Sequence, residues 1–178
     1  TKTGAPNFNR PNGSSQGRRA LSRAFDGSAG YGSAACGTLK DISGLVDFAR
    51  SSSGPSTTDI GAGNQLTYIP FARDGVSFAY YKASAGAPVT SLTRAQLTSL
   101  FTGTGAQTIE GVRVLPCGIQ TGSGTFGFWN SVTTASATQE NTATTECNNL
   151  LGARAQENDG NDLKARGDAA ETAVPGTQ

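Results

Sequence analysis

Two short segments rich in glycine and hydroxyl residues, each running straight into helix-forming sequence, constrain this chain more than any other feature. The first is Asn12-Gly13-Ser14-Ser15-Gln16-Gly17, followed by Arg18-Arg19-Ala20-Leu21. The second is Thr121-Gly122-Ser123-Gly124-Thr125, followed by Phe126-Gly127-Phe128-Trp129. A helix start carries backbone N–H groups with no intrahelical acceptor and the positive end of the helix dipole, so it attracts anions. Glycine allows close approach of the backbone, and serine and threonine hydroxyls add donors. Two such loops facing each other make a cleft for a small oxyanion. The competing reading of Ser14, Ser15, Ser123 and Thr125 is plain helix capping with no ligand.

Length and composition fit either one domain with a core or two small lobes, since the chain has 178 residues of which 35% are hydrophobic. Charged residues make up only 15% and glycine is frequent, but Leu, Val, Ile, Phe and Tyr run throughout, which reads as a folded, loop-rich protein. A formal charge of +1 supplies no field for nucleic acid or an anionic membrane. No apolar run approaches the length of a membrane span, and no segment reads as a signal peptide. The chain opens at Thr1 and lacks Met, which reads as a processed product or a fragment.

Histidine is absent. That excludes Ser-His-Asp and Cys-His nucleophilic catalysis, H-E-x-x-H zinc chemistry and histidine acid–base work. Cys36, Cys117 and Cys147 are too widely spaced for a CxxC site, and a zinc site without histidine partners is not expected. In a Ser/Thr/Gly-rich chain of secreted character, a Cys117–Cys147 disulfide with Cys36 left over is the preferred arrangement; three buried free thiols remain the alternative. No cofactor is expected.

Along the chain, Ser14 or Ser15 is placed to cap a helix through 21–25, with Arg18, Arg19 and Arg23 on its polar side. Residues 26–37 read as a flexible turn region. Strands are expected at 45–49, 66–71, 76–81 and 112–115 from their apolar runs and alternation. Leu92-Thr93-Arg94-Ala95-Gln96-Leu97 spells a capping box, Thr93 with Gln96, and a hydrophobic staple, Leu92 with Leu97, for a helix that ends at Gly103. Residues 131–149 are Thr/Ala/Asn-rich with weak periodicity, and Asn158-Asp159-Gly160 is a turn before a short helix at 162–166. Strands alternating with helices imply an α/β protein.

Gly122-Ser123-Gly124-Thr125-Phe126-Gly127 matches G-x-G-x-x-G after a strand, with Glu140 near the spacing of a ribose-binding acid. It lies far from an N-terminal βαβ unit and lacks a clear following strand, so a dinucleotide site is disfavoured. Neither loop continues into Gly-Lys-Ser/Thr, which removes the P-loop reading. Arg50, before Ser51-Ser52-Ser53 at the end of the 45–49 strand, is a candidate bidentate donor to an oxyanion, with an ordinary surface ion pair as its alternative. Asp47, Asp59 and Asp74 form a conceivable carboxylate set for glycoside hydrolysis, but a single Trp provides no sugar platform.

Six segments in order carry a resemblance. They are Arg10-Pro11-Asn12-Gly13-Ser14-Ser15-Gln16-Gly17, Val46-Asp47-Phe48-Ala49-Arg50-Ser51-Ser52, Tyr68-Ile69-Pro70-Phe71-Ala72-Arg73-Asp74, the Leu92–Leu97 capping box, Thr121-Gly122-Ser123-Gly124-Thr125 and Glu157-Asn158-Asp159-Gly160. Together they resemble the phosphate-binding, PstS-like branch of type 2 periplasmic (solute-binding) proteins, in particular its secreted actinobacterial members.

The resemblance implies a type 2 periplasmic-binding-protein-like α/β fold with two lobes and mixed sheets, incomplete at both ends. Residues 1–70 would form part of the first lobe and a crossover strand, and residues 71–178 the second lobe with the start of the return crossover. An anion site would comprise Ser14, Ser15, Gly17, Arg50, Ser51, Ser52, Thr121, Gly122, Ser123, Gly124 and Thr125. The family's Arg and Asp before the second loop are replaced by Ile119 and Thr121, and its acid after Phe48 by serines, which leaves the choice of anion open. The resulting expectation is a secreted or cell-surface, non-enzymatic protein holding a phosphate-like oxyanion, with an ABC transporter or a cell-surface protein as partner. The alternative is an extracellular structural or interaction module that keeps the fold without the ligand.

Overall fold

The computed structural model of the chain describes residues 3–26, 30–32, 39–55, 66–84 and 86–178. The expected turn region at 26–37, Cys36 and Asp59 fall largely or wholly outside these residues. The content is mixed α and β: five helices and one two-stranded sheet among the described residues. In chain order these are α1 (Ser14–Asp26), α2 (Arg94–Thr102), β1 (Gln107–Ile109), β2 (Val112–Val114), α3 (Gly124–Thr133), α4 (Ala137–Leu150) and α5 (Gly160–Ala173). They divide between two compact units, one made of Thr1–Asp74 with Gly122–Thr125, the other of Gly75–Thr121 with Phe126–Gln178.

In the first unit, α1 buries Ala20 and Ala24 against Tyr31 and Ile42, with Phe8, Leu45 and Val46 packed around them. Phe8 meets Tyr31 edge-on, ring centroids 6.0 Å apart, a geometry the ring quadrupoles favour. Burial raises the Tyr31 phenol above its ordinary pKa, with the Arg19 charge opposing.

In the second unit, α2 starts as its sequence dictates. Thr93 accepts the Gln96 N–H, Gln96 returns its side chain to the Thr93 backbone, and Gly103 closes the helix. Leu100 and Phe101 then pack with Val89, Ile109 and Ala135. β1 and β2 are joined through Glu110 and Gly111, both at positive φ (50° and 79°), the backbone a two-residue type I′ hairpin needs. The expected strand at 112–115 is present as β2, paired antiparallel to β1. A second cluster joins Leu115, Cys147 and Ala170. The Cys117–Cys147 disulfide is formed, its Cα atoms 5.3 Å apart.

Four local expectations are corrected. Residues 45–49, 66–71 and 76–81 form no strands. Apolar side chains among them stand in solvent instead, Phe48 at 84%, Ile69 at 82% and Phe71 at 95% exposure. A strand exists only by pairing, and alternation within a segment cannot supply the neighbour. Residues 137–150, read as weakly periodic, are the helix α4. Its capping box, Ser136 with Gln139, is as good as that of α2, and its buried face is Glu140, Ala143, Thr144 and Cys147 at helical spacing. The helix expected at 162–166 is longer, α5, with the Asp159 carboxylate accepting the N–H groups of Asn161 and Asp162. Finally, α1 begins at Ser14 itself, so this serine lies inside the first turn and its hydroxyl is free for other partners.

Candidate functional site

The first glycine loop turns at Gly13, whose φ of 114° excludes a side chain at low cost. A Cβ there would lie 2.7 Å from the Gly122 carbonyl carbon. The two glycine loops therefore touch backbone to backbone, and the Ser15 N–H donates to the Gly122 carbonyl at 3.3 Å. Gly122 in turn lies close to the Asn12 carbonyl. Both glycine loops belong to the first unit, because Gly122–Thr125 packs there.

A third segment completes the arrangement. The Ser14 hydroxyl accepts the Ser52 N–H at 3.1 Å and lies 3.0 Å from the Ser52 hydroxyl. Gly124, the first residue of α3, packs so tightly on this pair that a Cβ would stand 3.1 Å from Ser14 Oγ and closer still to Ser52 Oγ. Ser123 Oγ accepts the Thr125 N–H at 3.0 Å, so Ser123 takes the helix-capping role. A Cβ added at Gly17 would come into ordinary contact with Ala49 and the Arg50 carbonyl, which places this face of α1 beside residues 49–50.

The cation of the site is Arg18. Its guanidinium donates to Ser51 Oγ at 3.0 Å, to Ser53 Oγ, and to Ser15 Oγ at 3.4 Å. Arg18 is buried, with 4% exposure, where the sequence reading put it on the polar face of α1. The burial has a geometric cause: Arg18 lies three residues after Ser15 and four after Ser14, on the same helix face, so it shares their environment. That spacing was visible in the sequence. Arg50, expected as the donor, is exposed, and Thr121 is exposed and belongs to the second unit. Ser53, left out of the expected set, joins it through Arg18.

Chemically, the arrangement brings the hydroxyls of Ser14, Ser15, Ser51, Ser52 and Ser53 together with one guanidinium. That set is rich in donors that can reorient around an anion. No cluster of His, Cys, Asp and Glu able to hold a metal occurs among the described residues. No described helix is long and apolar enough to cross a membrane.

In the second unit, a partly buried Arg154 pairs with the buried Glu140 beside Gly118, which precedes the second loop. Burial raises the Glu140 carboxyl above its ordinary pKa, and the hydrogen bond and charge of Arg154 pull it down less strongly. Glu140, which the sequence places near the spacing of a ribose-binding acid, faces a guanidinium in the structure.

None of the protein-family models, curated proteins or solved structures compared with the chain matches it.

Proposed function

We propose that the chain is a non-enzymatic, secreted or cell-surface solute-binding-like protein. It captures a small phosphate-like oxyanion through Ser14, Ser15, Ser51, Ser52, Ser53, Arg18 and the Gly122–Thr125 loop. One observation carries the reading: hydroxyls from two segments distant in sequence, Ser15 and Ser51 with Ser53, meet at the buried Arg18 guanidinium, and the Gly122–Thr125 loop packs against the adjoining Ser14 and Ser52. The type 2 two-lobed architecture and delivery to an ABC transporter or cell-surface partner belong to the same proposal. The Cys117–Cys147 disulfide favours an oxidising compartment.

The test is calorimetric titration of dialysed protein with phosphate and then sulfate. Saturable heat with either supports anion capture, and their ratio names the preferred ion. A cooperatively folded protein that gives no heat with either refutes it.

A second reading has its own observation. Phe48, Ile69 and Phe71 are all more than four-fifths exposed on segments with no strand partner. Apolar side chains on unpaired backbone are the surface of an interaction module. Absence of anion binding together with self-association that Phe71→Ser abolishes would favour this second reading.

A further inference from the structure

We infer that Arg154 is the positioning residue of the Gly122–Thr125 loop, holding the chain on both sides of it without touching the anion; the inference rests on the anion-capture reading above. Arg154 follows α4, and its guanidinium is spent in several directions at once. Nε donates to the Ile119 carbonyl at 2.6 Å, three residues before the loop. The cation lies 5.1 Å from the centre of the Phe126 ring, the residue immediately after it. The other two nitrogens are held by α4: one pairs with Glu140 and the other donates to Asn141 Oδ1 at 3.3 Å. One side chain thus joins both stems of the loop to a single helix.

The surrounding backbone reinforces this. Ala155 donates to the Gly118 carbonyl at 3.0 Å and accepts from the Gln120 N–H at 3.0 Å, while Glu157 N–H donates to Gln120 Oε1 at 3.1 Å. Next to Gly118, Cys117 is fastened to α4 through its disulfide with Cys147. A Cβ at Gly118 would occupy the space of Glu140 Oε1 and the Arg154 guanidinium, so a side chain there would displace this pair. A loop that binds through backbone N–H groups and short hydroxyls depends on being held in place before the ligand arrives, since ordering it later costs affinity. The planar, forked guanidinium is the group that can serve a carbonyl, a carboxylate and a ring face together; a lysine ammonium cannot.

The experiment compares wild type with Arg154→Lys, Phe126→Leu and, as a control in the same unit, Arg113→Lys, whose parent residue pairs with Glu146 and donates to Thr177. Hydrogen exchange of the loop amides is measured in anion-free protein, and phosphate and sulfate affinity by calorimetry. Arg154→Lys should accelerate exchange at Ser123, Gly124 and Thr125 by about tenfold and weaken anion binding by a similar factor, with little change elsewhere in the second unit. Phe126→Leu should do the same to a smaller extent, and Arg113→Lys should do neither. Unchanged exchange at the loop overturns the inference, as does an equal acceleration across the whole second unit, which marks a merely structural arginine. Faster loop exchange with unaltered anion affinity also overturns it. If wild-type protein binds neither anion, the capture reading fails by itself, and the exchange data still decide whether Arg154 positions the loop.

Discussion

Substituting Gly13 by Ala tests the contact on which the whole site depends. Two costs arise. The backbone at Gly13 has φ near 114°, which an L residue adopts only at about 1–3 kcal/mol. The added Cβ also falls 2.7 Å from the Gly122 carbonyl carbon and 3.1 Å from the Ser123 nitrogen, so the second loop has to retreat. Retreat breaks the Ser15–Gly122 hydrogen bond, worth about 0.5–1.5 kcal/mol. Alanine recovers about 0.4–1 kcal/mol by stiffening the unfolded chain. The net expectation is a loss of about 0.5–4 kcal/mol.

Gly44→Ala is the matched control in the same unit. Gly44 has φ of 67° and an added Cβ would meet nothing within 4 Å, so only the left-handed backbone penalty of about 1–2 kcal/mol applies, less the same unfolded-state gain. Urea unfolding followed by circular dichroism reads the difference. With a slope of about 1–3 kcal/mol per molar, Gly13→Ala should lower the midpoint by about 1 M, clearly more than Gly44→Ala. It should also weaken anion binding, which Gly44→Ala should leave intact. Equal midpoints for the two variants would refute the backbone contact between the glycine loops, and with it the shared site.

Arg18→Met removes charged hydrogen bonds to Ser51 and Ser53 worth about 1.5–3 kcal/mol each and should abolish measurable anion heat; retained binding in calorimetry would take Arg18 out of the site. Glu140 has a folded-state pKa raised by burial, so the folded protein keeps a proton that the unfolded chain has released. Its contribution to stability is therefore complete below the ordinary glutamate value of 4.5 and is lost as pH rises through the raised value. Denaturation curves across that range should show the decline in wild type and a flatter profile in Glu140→Gln, and parallel profiles would contradict it. Removing the Cys117–Cys147 disulfide, whose cysteines are 30 residues apart, should cost about 2–4 kcal/mol by the chain-entropy argument, read as a lower urea midpoint for the Cys117→Ser, Cys147→Ser double variant.

The parts of this molecule legible in its sequence are those whose cause is local. Thr93 and Gln96 cap α2 because a helix start needs two acceptors at that spacing, and nothing distant alters the need. The same logic was available for Ser136 and Gln139 in α4, but the helix behind them buries Glu140, Thr144 and Cys147 in place of leucines. Apolar periodicity was therefore weak, although polar residues with internal partners occupy a core face equally well. Glu140 has Arg154, and the Thr144 hydroxyl donates to the Glu140 carbonyl at 2.9 Å.

The site divides along the same line. Both glycine loops announce themselves as helix starts, and the arginine hydrogen-bonded among the serines is Arg18 of α1, while Arg50 stands exposed. Charge alone reads Arg18 as a solvated residue; its shared helix face with Ser14 and Ser15 buries it. The three expected strands fail for the converse reason. Their alternation was genuine, but pairing is a property of two segments, and their exposed Phe48, Ile69 and Phe71 show that apolar sequence was present without a surface to cover it. A pattern thus fixes an element when its hydrogen bonds close within a few residues. Where they must close on a distant segment, as at Ser14 with Ser52 or Gly13 with Gly122, the contact becomes visible only in three dimensions.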